Sequence, residues 1–132
     1  MDIFQEFATD EKLEIEGVWK KLGDAKFLVG RARNDNYMEL YVKLENEHKE
    51  VLLAGGEAAL AKRDEIVYEV TAKTVLLGWE GVTKGPKKTE WPYSVENAIA
   101  ALKVKDFFRV ISAWSNDITN YQKAVEEAQA GN

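Results

Sequence analysis

The chain has 132 residues, of which 18 are basic and 23 acidic, for a formal charge of −5; it has no cysteine and one histidine, His48. That length fits one domain, and with 45% apolar residues the chain can bury a core, which excludes wholesale disorder. Without cysteine there is no disulfide scaffold, cysteine nucleophile, zinc finger or iron–sulfur cluster; one histidine leaves no multi-histidine metal site, and the net negative charge argues against a nucleic-acid binder.

The N-terminus, Met1-Asp2-Ile3-Phe4-Gln5-Glu6, is acidic and lacks the basic start and apolar stretch of a signal peptide. No uninterrupted apolar run approaches the ~20 residues that span a bilayer, so a soluble, intracellular protein is expected. The charge is uneven. Residues 1–66 carry 10 basic and 15 acidic side chains, and residues 67–132 carry 8 of each. Within 1–16, Asp2, Glu6, Asp10, Glu11, Glu14 and Glu16 face only Lys12, whereas Lys84, Lys87 and Lys88 meet no acid within 81–88. Both segments read as solvated surface. They also read as opposed faces, one copy's terminus docking on another copy's loop.

Residues 1–12 are expected to form a flexible acidic terminus. From Leu13 the chain alternates, with Leu13, Ile15, Gly17 and Trp19 on one side, and alternates again through Ala25, Phe27 and Val29. With Gly23-Asp24 between, this predicts a β-hairpin over 13–32 with a loop of four or five residues. Asn34 is a good N-cap. Tyr37, Leu40, Tyr41 and Leu44 then fall on one face of a helix over 35–49, and His48 extends that face. Gly55-Gly56 breaks the chain, and 57–77 predicts a second helix ending near Gly78.

Residues 78–93 hold three glycines, two prolines and two tryptophans and are expected as a long functional loop. Ser94 caps the next helix, with Val95, Ala98, Ile99 and Leu102 on one face, and Asp106 is a candidate cap for the last one. There Phe107, Ile111, Trp114, Ile118, Tyr121 and Val125 follow spacings of 4, 3, 4, 3, 4. That is a heptad-like seam whose partner is either the chain's own helices or another copy. Residues 126–132 lose the pattern and are expected to fray.

Chemical motifs are sparse. Gly85-Pro86-Lys87-Lys88 lacks the upstream glycine spacing of a phosphate-binding loop, and no dinucleotide-binding glycine pattern occurs. Ser112 and Ser115 flank Trp114 without the strained elbow of a serine nucleophile. His48, among Glu45, Glu47 and Glu50, reads as a half-exposed helix residue rather than a metal ligand. No catalytic, cofactor-binding or metal site is therefore assigned, and the chain is expected not to be an enzyme. Among the tryptophans, Trp19 and Trp114 read as core. Trp79 and Trp91 bracket the basic loop and read either as core or as a partner contact.

Three blocks then occur in order: Arg31-Ala32-Arg33-Asn34-Asp35-Asn36-Tyr37, Leu76-Leu77-Gly78-Trp79-Glu80-Gly81-Val82 and Tyr93-Ser94-Val95-Glu96-Asn97-Ala98. A terminal helical segment follows from Asp106-Phe107. Over roughly residues 14–125 this arrangement resembles the tail assembly chaperones of long-tailed, siphovirus-like bacteriophages. The basic loop with Pro86 and Trp91 departs from the family, whose form there is a short acidic or glycine-containing turn.

The resemblance implies a non-enzymatic protein without cofactor. It implies coating of the tape measure protein in the cytoplasm of the infected host, help for tail tube protein assembly, and absence from the mature virion. A frameshifted longer form of the chain is a further implied partner, self-association is expected, and no nucleic acid or membrane is involved. A tail completion component retained in the particle and a small host-directed regulator stay open as alternatives. The expected fold is one predominantly helical α+β domain, with an N-terminal β-hairpin on a bundle of about four helices spanning 34–125. Trp79, Lys84, Lys87, Lys88, Trp91 and Tyr93 are the candidate interaction residues.

Overall fold

The computed structural model describes residues 1–122. The acidic terminus is not a bare tail. Asp2 accepts hydrogen bonds from the Phe4 and Gln5 amides and starts a single turn, α1 (Ile3–Glu6), and Asp10 caps α2 (Glu11–Glu16) through the Lys12 amide. The expected strand at 13–16 is therefore helical. The alternation of Leu13 and Ile15 is too short to distinguish the two periods, and the cap decides. Gly17, at φ 86°, then turns the chain into β1 (Val18–Leu22).

β1 pairs antiparallel with β2 (Ala25–Val29), Leu22 opposite Ala25, so the hairpin covers 18–29 and its loop is only Gly23-Asp24. A third strand, β3 (Leu76–Glu80), pairs antiparallel with β2, giving the order β1-β2-β3. Register places Trp19, Leu28 and Gly78 on one face and Lys20, Phe27 and Trp79 on the other. Trp19 is consequently not core. Its indole lies on the outer face of an edge strand, half exposed, with the Lys26 ammonium 4.7 Å from the ring.

Asn34 starts α3 (Asp35–Glu47), accepting from the Tyr37 amide, as its residue type predicts. The helix ends two residues early, at a break where His48 joins it to α4 (Lys49–Ala54). α5 (Gly56–Thr74) stops before the predicted Leu77. The sequence 75–79 has no polar residue to mark the change from helix to buried strand. Leu44 of α3 buries against Ile66 and Val70 of α5, with Tyr37, Leu40 and Tyr41 alongside.

The expected loop 78–93 is interrupted by strand. Its first residues end β3, and Val82–Trp91 form a small hairpin, β4 (Thr83–Lys84) with β5 (Thr89–Glu90). Ser94 caps α6 (Val95–Leu102) through the Asn97 amide. α7 (Lys105–Asn116) follows Val104, so Asp106 lies inside the first turn, paired with Arg109 at 3.3 Å, and is not the cap.

The last seam holds only as far as Trp114. Asp117 accepts from the Thr119 amide and hydroxyl, and Asn116 and Asn120 side chains donate to the carbonyls of Ser112 and Trp114. These local bonds compete with helix continuation, and Ile118–Tyr121 form a 3₁₀ turn instead. Val125 and the expected frayed end, 126–132, lie outside the described residues. The seam's partner is the chain's own sheet: Phe107 and Trp114 lie 5.3 and 6.1 Å from the Phe27 ring. The principal core joins Phe27, Val29, Leu76 and Trp79 to Ala72, Ala98, Leu102 and Ile111. The architecture is α+β, as expected.

Candidate interaction site

Trp79 sits on the inner face of β3 and is 7% exposed. Its Nε1 donates to the Trp91 carbonyl at 2.8 Å, the two rings are 5.2 Å apart, and the Tyr93 ring meets Trp79 edge-on at 5.3 Å. The Tyr93 hydroxyl lies 2.9 Å from the Ala72 carbonyl and 2.8 Å from that of Leu76. It thereby ties the end of α5 to β3, and burial pushes its pKa up. Trp79 and Tyr93 are thus structural residues. The single proton of this hydroxyl is shared between two main-chain carbonyls, which leaves no donor for a partner.

Trp91 and the lysines differ. Trp91 is half-buried, and the Lys84 ammonium stands 5.0 Å from its ring, a cation–π contact. Lys84, Lys87 and Lys88 are all exposed on the β4–β5 hairpin, with Lys88 in the left-handed region at φ 51°. Beside them opens a groove of about 460 Å³. Its walls bring together Leu22, Phe27, Trp79, Val82, Trp91, Ala101, Val104 and Phe107, with Lys84 at the lip. No acidic side chain is among the lining residues. The volume falls within the range of small binding clefts.

Four of the candidate residues, Trp79, Lys84, Trp91 and, behind them, Tyr93, therefore form one cluster, whereas Lys87 and Lys88 stand off at the hairpin tip. Sequence reasoning missed Leu22, Ala101, Val104 and Phe107. The one signal available was Val104, a branched aliphatic in the break between two helices, 59% exposed. The Arg31-to-Tyr37 block serves the fold. Arg31 stacks its guanidinium 5.3 Å from the Tyr121 ring, and its Nη1 is buried without a hydrogen-bond partner among the described residues. Asn34 holds the Arg31 and Thr74 carbonyls at 2.8 and 3.0 Å. Among the described residues no cluster of His, Cys, Asp or Glu could hold a metal ion, and no helix is long and apolar enough to cross a membrane.

A family model described as YdaY prophage protein matches residues 32–132, more than half of the chain. The match contains the groove-lining residues from Trp79 to Phe107 but, beginning after the β1–β2 hairpin, not Leu22 and Phe27. Comparison with curated proteins and with solved structures gives no match.

Proposed function

The chain belongs to the family of this prophage protein, and on that premise we propose that it is a tail assembly chaperone, a non-enzymatic protein that coats the tape measure protein before tail tube subunits polymerise around it. The observation that carries this reading is the union in space of two of the three sequence blocks on which the resemblance rests, a first at 76–82 and a second at 93–98. Trp79, from the first block, packs on Tyr93, from the second, and the Tyr93 hydroxyl reaches back to Leu76. Asn97 Nδ2 donates to the Pro92 carbonyl at 2.8 Å, fixing the second block against the returning chain. The blocks thus form one unit, from which the lysine hairpin projects beside an open apolar groove. A surface that offers apolar area with a cationic lip suits reversible protein binding.

In this reading the protein acts in the cytoplasm of the infected bacterium, without cofactor. Its partners are the tape measure protein, the tail tube protein and a frameshifted longer form of itself, and it leaves before the virion matures. The test is co-expression with the tape measure protein of the same prophage, followed by affinity capture and by mass spectrometry of purified particles. Co-purification together with absence from particles is expected. Retention in particles would make it a tail completion component, and capture of a host protein without the tape measure protein would make it a regulator; either overturns the proposal.

A further inference from the structure

Two surfaces have no cover among the described residues. One is α1, where Ile3, Phe4 and Phe7 are 62%, 91% and 59% exposed. Three large apolar side chains on a single exposed turn, flanked by Asp2 and Glu6, are costly to leave in water. The turn is held in place by its Asp2 cap and by the Gln122 amide on the Glu6 carbonyl at 2.8 Å. The other surface is the groove, apolar within and cationic at its lip, where Val104 stands exposed.

The two surfaces lie at opposite ends of β2. The Asp10 amide donates to the Tyr121 carbonyl at 2.7 Å, and the Tyr121 hydroxyl to the Val29 carbonyl at 3.1 Å, so the N-terminal segment is tied to the Val29 end. The groove opens beside Leu22, at the Ala25 end of the same strand. Five residues of strand separate these ends by roughly 13 Å, at about 3.3 Å per residue. A copy that offers its α1 on one side therefore receives another copy on the other side.

We propose that Ile3, Phe4 and Phe7 of one copy seat in the groove between Trp91 and Val104 of a second copy, with Asp2 and Glu6 facing Lys84, Lys87 and Lys88. The inference deepens the chaperone reading and rests on it for its purpose, because a coat needs contacts that repeat. The contact is heterologous, so it adds copies in one direction until the rotation closes a ring or runs on as a spiral. Each buried aromatic contributes about 150–250 Å². Two phenylalanines and an isoleucine stay near or below the ~1,000 Å² of a stable interface, which makes the contact reversible. The charges set its direction and make it weaken with salt.

The test is sedimentation velocity of the full chain at high protein concentration and low ionic strength. Wild type is expected to form a ladder of oligomers that shrinks as salt is added. Phe4→Ser with Phe7→Ser removes the inserted side chains, and Val104→Glu places an acid in the receiving groove. All three positions are exposed, so both variants should melt as wild type does. Each variant should weaken association by roughly tenfold or more. Mixed together, they retain one intact donor and one intact groove, and should give a 1:1 dimer that grows no further. A monomeric wild type, or variants that associate like wild type, or a mixture that stays monomeric would each overturn the proposal. So would a groove in which Val104→Glu abolishes capture of the tape measure protein but leaves the oligomers intact, since that protein would then be the occupant. Co-purification of the tape measure protein with oligomer-defective Phe4→Ser/Phe7→Ser would leave the chaperone reading standing whichever way sedimentation turns out.

Discussion

The indole N–H of Trp79 donates to the main-chain carbonyl of Trp91 at 2.8 Å, and this bond fastens the outgoing strand β3 to the chain returning from the lysine hairpin. The Trp91 amide in turn donates to the Val82 carbonyl at 2.9 Å. Trp79→Phe keeps an aromatic ring but removes the donor. It should cost about 1–2 kcal/mol, or a fall in Tm of roughly 3–4 °C per kcal/mol for a chain of this size. Trp79→Ala also removes the packing on Phe27 and Tyr93 and should cost about 3–5 kcal/mol. Thermal unfolding measures both. Hydrogen exchange at the Trp91 amide should quicken in Trp79→Phe, whereas exchange in α3, remote from the bond, should not change.

Tyr121 is fully buried with its hydroxyl on the Val29 carbonyl at 3.1 Å, and burial pushes its pKa far above that of a free tyrosine. Burial also raises the pKa of Tyr37, with a smaller contribution from Tyr41 partly offset by Arg33, and that of Tyr93. The folded state therefore holds protons that the unfolded chain releases near pH 10. The stability these groups contribute is fully present below about pH 10 and is lost as pH rises through their raised folded values. Urea midpoints should be flat up to about pH 9 and should fall steeply above pH 10. Tyr121→Phe should lower stability by about 1–2 kcal/mol at neutral pH and make the alkaline fall shallower, because one of the shifted groups is gone. An unchanged alkaline slope in that variant would contradict the assignment.

Gly30 and Gly55 separate two reasons for glycine. A Cβ on Gly30 would stand 2.7 Å from the Thr74 carbonyl oxygen, a main-chain atom that cannot swing aside. Gly55 has φ 74° and open space around it. Gly30→Ala should therefore force β2 away from the end of α5 and cost about 1–3 kcal/mol. Gly55→Ala meets no neighbour and should cost only the strain of φ 74° with ψ −167°, a region essentially open to glycine alone, about 1–3 kcal/mol. Chemical denaturation ranks the two. Only Gly30→Ala should also disturb the near-ultraviolet signal of the aromatics packed on β2.

The sequence was most legible where one residue settles a local choice. Asn34 and Ser94 cap α3 and α6 as their types predict, and the i, i+3, i+4, i+7 faces behind them turn inward: Leu44, Ala98 and Leu102 are buried, Tyr37, Leu40, Tyr41 and Ile99 half-buried, and only Val95, in the first turn of α6, is exposed. It was least legible from Val75 to Trp79. A continuous apolar run carries no period, so helix and buried strand look alike, and only pairing with Phe27 and Leu28 makes it β3. The site divided in the same way. Lys84 and Trp91 are close in sequence and their contact follows from the small hairpin. Val104 and Phe107 join the groove only because α6 and α7 fold back over the sheet. The apolar side of the N-terminus was hidden too, because four residues of α1 are too few to show any periodicity.

Asn34 does two jobs that different substitutions pull apart. Its carbonyl oxygen accepts from the Tyr37 amide at 2.9 Å and starts α3, while its amide nitrogen donates to the Arg31 carbonyl and to that of Thr74 at the end of α5. Asp caps helices as well as Asn does, so capping alone would make Asn34→Asp harmless. The buried position says otherwise. A carboxylate there would face two carbonyl oxygens with no proton to give. Asn34→Asp should thus cost about 2–3 kcal/mol at neutral pH, similar to Asn34→Ala, which loses the cap (about 1 kcal/mol) and both donors. The two variants should part at low pH. Protonation of the aspartate restores one donor, so Asn34→Asp should recover stability relative to Asn34→Ala as pH falls towards 4. Equilibrium denaturation of both variants across that range checks it. An Asn34→Asp variant as stable as wild type at neutral pH would show that Asn34 acts as a cap alone.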